Sequence, residues 1–225
     1  MIRPSLIDTH KFIILLACLL VFFIVSALTQ DSYFKFIISL LFATLMMLSL
    51  YLISHRKRLL ITGTLILGSL TTLSFFSDAT LSPDVTSLIG AEIILAILFF
   101  SVLLFASLHY TVRDSTITLN HLCGAVCTYL FIGLTWSYLY LLIELLQPES
   151  FYPTTEVVEQ GSQSLKFIYY SFVTLTTLGY GDIRPISDIA KTTSWLEAAT
   201  GQLYLTILIA QLIGKYVART YKSTG

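Results

Sequence analysis

Charge is what this sequence has least of. Only 12% of its 225 residues are Asp, Glu, Lys or Arg, and 56% are hydrophobic. A soluble domain carries about 25% charged residues, so this composition excludes an ordinary water-facing surface and indicates an integral membrane protein. The formal charge is zero and the pI is near 6.9. No basic field is therefore present to hold nucleic acid. Cysteine is scarce too: Cys18, Cys123 and Cys127 all lie within apolar runs. Cys123 and Cys127 share a helix face, where disulfide geometry is rarely met, and they read as small buried hydrophobes. There is no Cys/His cluster at metal-binding spacing, no nucleophile–base set and no phosphate loop, which leaves an enzyme without support.

What the chain has instead is long apolar runs. Six of them, at 12–28, 36–53, 59–76, 88–108, 122–146 and 195–217, reach the ~17–25 residues that a bilayer span needs. Val25-Ser26-Ala27 loosely fits a signal-peptidase site. The run before it exceeds a usual apolar signal core and more spans follow, so it is expected to be retained. A further apolar run, 164–175, is too short to span. At ~1.5 Å per residue it covers ~18 Å, about half a membrane.

Basic residues set the orientation. With a cytoplasmic start and six spans, nine Lys and Arg fall inside, including the cluster Arg56-Lys57-Arg58, Arg113 and the C-terminal Lys215, Arg219 and Lys222. Four fall outside: Lys35, Lys166, Arg184 and Lys191. Both termini are therefore expected in the cytoplasm. The connection 147–163, with Pro148 and Pro153, is expected to be a flexible outer loop.

Between the half-length run and the last span lies Thr176-Thr177-Leu178-Gly179-Tyr180-Gly181-Asp182. Irregular backbone survives at membrane depth only when buried in protein or lining a watery cavity. A helix dipping in from outside, followed by about five extended residues, brings the chain back to the outer surface. An ion leaving water needs its hydration shell replaced, and rings of backbone carbonyls can do this. Aiming successive carbonyls to one side needs partly left-handed backbone, which glycine adopts at little cost. Gly179 and Gly181 alternate with Leu178 and Tyr180, and the Thr177 hydroxyl can add a further oxygen. Oxygen ligands suit a hard cation, and the C-terminal dipole of the dipping helix favours one at the membrane centre.

This stretch resembles the selectivity filter of potassium channels, and Tyr169-Tyr170-Ser171-Phe172-Val173-Thr174-Leu175 is similar to that family's pore helix. The resemblance covers about residues 122–217. It implies a homotetramer around one central pore. The carbonyls of Thr177, Leu178, Gly179 and Tyr180, with the Thr177 hydroxyl, would bind dehydrated K⁺. Thr176, Gly181, Asp182, Tyr169 and Tyr170 would support the filter, and Gly201 matches the inner-helix hinge glycine. Leu178 replaces a commoner valine, a mild change where the carbonyl does the binding. Val173 stands where some members carry a buried glutamate, so Asp182 is expected to be held by the hydroxyl of Tyr169 or Tyr170, or else simply solvated.

A voltage sensor needs several arginines in the field. The fourth run, 88–108, contains no Lys or Arg; its one ionisable residue is Glu92. Sensor-type voltage dependence is not expected. Eight residues follow the last run, so no cytoplasmic ligand-binding domain is expected there; gating is left to the filter, the Gly201 region, lipid, pH, tension or a separate regulatory subunit. His10, His55, His109 and His121 fall at cytoplasmic ends of spans, where interfacial anchoring outweighs proton sensing as an explanation. Glu144 and Glu197 flank the pore segment and can accept backbone hydrogen bonds from the filter loop.

The expected fold is an all-α membrane protein of six transmembrane helices plus a re-entrant helix and an extended filter, in a tetrameric pore. Residues 1–110 form a four-helix region without gating charges, 111–121 an interfacial linker, 122–217 the pore domain and 218–225 a short tail. The expected function is passive K⁺ conduction across the cell (inner) membrane, with lipid as the surroundings. One alternative is a non-conducting regulatory subunit that keeps the fold. A single Gly-Tyr-Gly excludes a tandem-pore chain, and one intact loop with two pore spans disfavours a transporter that strings four degenerate pore loops in one chain.

Overall fold

The computed structural model describes residues 6–28, 85–113, 118–152 and 163–224. The second and third apolar runs, the basic cluster at 55–58, most of the connection 77–85 and residues 153–162 lie outside them. In chain order the elements are α1 (Leu6–Leu28), α2 (Val85–Arg113), α3 (Leu119–Leu146), β1 (Phe151–Tyr152), α4 (Gln163–Leu175), β2 (Arg184–Pro185) and α5 (Asp188–Thr224). Two segments are long and apolar enough to cross a membrane, Ile89–Val112 within α2 and Leu119–Leu146. The comparable part of α1, Lys11–Ile24, is shorter.

Helices α2 and α3 are joined by a few residues, so they are neighbours in space. Helix α2 runs to Arg113 and α3 begins at Leu119, so described helix reaches into both ends of the linker expected over 111–121. Thr118 precedes α3 in extended backbone, and its hydroxyl pairs with His121 Nδ1 at 2.6 Å instead of capping α3.

The first core joins α1, α2 and α3. Phe12, Leu15, Leu19 and Phe22 recur at helical spacing and bury one face of α1, as Ala96, Phe99, Phe100 and Leu103 bury one face of α2. Cys127, Phe131 and Leu134 of α3 receive both. The remaining faces stay apolar and exposed, with Leu20, Ile24, Leu98 and Phe105 among them. Between apolar helices in lipid, close packing and hydrogen bonds supply the attraction that water supplies elsewhere. Such bonds are present: the Ser107 hydroxyl donates to the Gly124 carbonyl at 3.0 Å, and the Phe12 N–H donates to Asn120 Oδ1 at 2.9 Å.

The second core lies beside α4. Tyr140 and Ile143 of α3 meet Phe151 of β1, Phe167 and Tyr170 of α4, and Ala190 of α5. Strands β1 and β2 pair antiparallel, with Phe151 opposite Pro185 and Tyr152 opposite Arg184. The Ile186 N–H adds a bond to the Ser150 carbonyl at 2.7 Å. The start of the connection 147–163, expected to be flexible, is therefore held in place. Its backbone is pinned to the segment that follows residue 182, and Glu144 accepts the N–H groups of Glu149 and Phe151, each at 3.2 Å.

Candidate functional site: a strained stretch capping a half-length helix

Helix α4 has 13 residues, which at ~1.5 Å each is ~20 Å, near the half-membrane length read from the sequence. Its end is a Schellman motif. The Leu178 N–H bonds the Val173 carbonyl at 2.9 Å, and the Thr177 N–H bonds the Thr174 carbonyl at 2.9 Å. The motif needs a left-handed residue at its turning point, and Thr177 occupies it with φ 58°. A β-branched residue in that region is an outlier that costs roughly 1–3 kcal/mol and persists only when its surroundings over-determine it. Here the surroundings include the Thr176 N–H, which bonds the Phe172 carbonyl at 3.1 Å, and Gln202 of α5, whose Nε2 donates to the Thr177 hydroxyl at 3.3 Å.

The handedness continues to alternate. Gly179 has φ 59° and Gly181 φ 78°, with Leu178 and Tyr180 between them outside the positive-φ set. In a regular extended chain successive carbonyls point to opposite sides. Reversing the handedness at every second residue cancels that flip and brings the carbonyls to one side. A Cβ added at Gly179 or Gly181 would meet nothing within 4 Å, so glycine is required by φ and not by space. The amides of residues 176–179 are turned back onto α4. Among the described residues, no hydrogen bond reaches the carbonyls of Thr177, Leu178, Gly179 or Tyr180. Among the described residues these four oxygens have no partner, in backbone strained at Thr177, beside Leu178 and Tyr180, which are 55% and 67% exposed.

The supporting residues divide. The Tyr169 hydroxyl donates to Asp182 Oδ2 at 2.6 Å, and the Ile183 N–H donates to Oδ1 at 2.9 Å. Of the two tyrosines considered for Asp182, Tyr169 is the one that reaches it. Tyr170 turns the other way, with its hydroxyl 2.6 Å from Ser194 of α5. Gly201 is buried within the unbroken helix α5, where a Cβ would run into the Leu175 carbonyl oxygen. The same carbonyl accepts a bond from the Tyr129 hydroxyl at 3.2 Å. The last residue of α4 is thereby held between α3 and α5.

Glu197 departs from expectation. It is fully buried, and its partners are hydroxyls, not filter-loop amides: Tyr140 Oη lies 2.5 Å from Oε2 and Ser171 Oγ 2.5 Å from Oε1. Glu144 does accept backbone N–H groups, but those of the turn after α3. Sequence reasoning picked out Glu197 as a carboxylate within a span yet missed Tyr140, Ser171, Tyr129 and Gln202. Ser171 stands out in the sequence only as one residue of the pore-helix run, no role was assigned to any of the four, and only the packing of α3, α4 and α5 brings them to the site. The histidines also divide: His109 is exposed, whereas His121 is buried and stacked on Tyr110 with ring centroids 4.8 Å apart.

Residues 117–218 match the family model described as Ion channel. No curated protein and no solved structure matches the chain. The match supports an ion-channel function, and so a non-enzymatic one, for the segment that holds this site. Together with the two helices apolar enough to cross a bilayer, it supports a membrane location.

Proposed function

We propose that the chain is one subunit of a potassium-selective channel, in which four copies surround a single pore in the cell (inner) membrane. In this reading the chain has six spans and both termini are cytoplasmic. The carbonyls of Thr177, Leu178, Gly179 and Tyr180 from each copy, with the Thr177 hydroxyls, replace the hydration shell of K⁺. The observation that carries the reading is the alternation of positive φ at Thr177, Gly179 and Gly181, with the carbonyls of residues 177–180 unpaired among the described residues. Strain of this kind is retained where it serves a site. An oxygen cage for a hard cation accounts for it, and four copies supply the ligands that one copy lacks.

Leu178 and Tyr180 then face away from the axis, where a neighbouring copy covers them. Asp182, held by Tyr169, fixes the outer end of the filter. At the inner end Gly201 serves as the hinge of α5. Because it lies against the Leu175 carbonyl, bending there also moves the base of the filter. The fourth span takes no part as a charged sensor, and the opening stimulus acts elsewhere.

Ion flux into liposomes holding the purified protein tests the reading. Uptake of K⁺ or Tl⁺ without Na⁺, as a tetramer, is the expected result. A folded protein that passes neither ion at any pH or tension would instead be a non-conducting subunit with a channel fold.

A further inference from the structure

Three short oxygen–oxygen contacts meet around Glu197, and their protons can be counted. Ser171 Oγ is 2.5 Å from Glu197 Oε1 and 2.7 Å from the Gly133 carbonyl oxygen. Tyr140 Oη is 2.5 Å from Glu197 Oε2. Contacts this short are hydrogen bonds, and each needs a proton between its oxygens. Ser171 and Tyr140 own one hydroxyl proton each, which makes two. A carbonyl owns none, and neither does an ionised carboxylate. Tyr140 also has the Thr193 carbonyl at 3.5 Å and the Ser194 hydroxyl as polar neighbours, but its short contact is the one to Glu197 at 2.5 Å, and its proton belongs there.

We infer that Glu197 supplies the third proton. It is a neutral carboxylic acid whose Oε1–H donates to Ser171; Ser171 donates on to the Gly133 carbonyl, and Tyr140 donates to Oε2. With that proton every contact is satisfied in one direction. Without it, either the Ser171–Gly133 or the Ser171–Glu197 pair would be two bare acceptors pressed together.

The surroundings agree with a neutral group. Glu197 is 0% exposed, and among the described residues of the protomer no ion pair includes it. The titratable groups around it are tyrosines: Tyr140 and Tyr129 on α3 and Tyr170 on α4. An unpaired buried carboxylate would cost several kcal/mol. The acid joins three helices at one point, α5 through its own backbone, α4 through Ser171 and α3 through Tyr140 and Gly133. It acts as a positioning residue: it fixes the back of α4 two and three residues before Val173 and Thr174, whose carbonyls carry the Schellman bonds.

Infrared spectra of the full chain reconstituted in liposomes test this directly. The difference between wild type and Glu197→Gln should show loss of one protonated-carboxyl stretch and no loss of ionised-carboxylate bands. Ser171→Ala should keep the band and shift it upward, because its acceptor has gone. The reverse pattern, loss of carboxylate bands in Glu197→Gln, overturns the inference. Thermal unfolding adds a second arm. A Gln amide can donate to Ser171 and accept from Tyr140 as the neutral acid does, so Glu197→Gln should melt near wild type and well above Glu197→Ala. Equal destabilisation by Gln and Ala would count against a neutral acid. Neither readout uses ion flux, so the channel reading could fail while this inference stands, and the converse also holds.

Discussion

Helix α2 and the stretch 176–182 treat polar backbone in opposite ways. Helix α2 runs 29 residues with its amides and carbonyls paired along the helix. Two of its polar side chains fold inward as well: Thr111 donates to the Ser107 carbonyl at 3.0 Å and Ser107 to the Gly124 carbonyl. The stretch 176–182 turns the amides of residues 176–179 onto α4 and, among the described residues, leaves the carbonyls of residues 177–180 without a partner, in backbone left-handed at three positions and strained at Thr177. In an apolar medium each unpaired polar group costs several kcal/mol. That cost is tolerated in one place and avoided in the other. The contrast marks the stretch, and not α2, as the candidate site.

The sharpest way to break the comparison is to take away the handedness. Gly179→Ala puts a Cβ on a residue with φ 59°, a region that costs an L-residue roughly 1–2 kcal/mol. The added methyl meets no neighbour within the protomer, so the effect should fall on carbonyl direction and not on folding. Flux of K⁺ in liposomes should fall below detection while the protein still elutes as a folded oligomer. Retained selective flux in Gly179→Ala would remove the filter reading.

Next in size is Gly201→Ala. The methyl would strike the Leu175 carbonyl oxygen, a backbone atom that cannot turn aside. Overpacking of this sort costs about 1–3 kcal/mol, and relief requires α5 to part from the end of α4. A lowered unfolding midpoint together with altered flux is expected. Gly133→Ala makes a useful contrast. There the obstacle is the Phe172 ring, 2.7 Å from an added Cβ, and a ring can shift. Phe172 is itself seated edge-on against Phe23 of α1, with centroids 5.6 Å apart, so the shift would be felt between α4 and α1. A smaller drop in midpoint is expected than for Gly201→Ala, and equal drops would show that the rigidity of the obstacle is not what matters.

A milder change tests the outer end. Tyr169→Phe removes the donor to Asp182 Oδ2 and leaves the Ile183 N–H bond in place. Both side chains are exposed, so water can replace much of what is lost. Initial K⁺ flux should stay within a few-fold of wild type, while its decay under sustained opening should quicken. Tyr170→Phe should not copy this, because Tyr170 serves Ser194. If the two variants decay alike, the distinction between the tyrosines fails.

Much of this was legible in the sequence, and the reason is physical. The half-length helix α4 follows from run length, and the left-handed positions at Gly179 and Gly181 follow from glycine's conformational freedom. Thr177 was harder to foresee as left-handed, since propensity argues against it; the Schellman geometry at the end of α4 overrides that propensity. Tyr169 was found as one of a pair, because adjacent residues on a helix point about 100° apart and only packing decides which faces the stretch. The partners of Glu197 were not legible at all. Ser171 is 26 residues away and Tyr140 is 57, on helices whose faces the sequence does not orient. The same is true of the outer connection, where two strand residues at Phe151–Tyr152 are too short to leave a pattern.

The smallest expected effect concerns α2, and it sharpens the comparison by being small. Moving one elementary charge through the field is worth ~2.3 kcal/mol per 100 mV, so steep voltage dependence needs several mobile charges in one helix. Helix α2 carries Glu92 near one end and Arg113 at the other, with no Lys or Arg between. A field across the membrane therefore finds little in α2 to pull on. Its buried Phe99, Phe100 and Leu103 are also packed against α1 and α3, which resists the sliding a sensor requires. Conductance measured over a wide voltage range should follow a slope equivalent to about one charge or fewer. Any remaining dependence would arise from ions moving within the stretch 176–182, and should then change with permeant-ion concentration. A slope equivalent to about three or more charges, unaffected by the permeant ion, would mean that α2 or the residues before it carry the sensor after all.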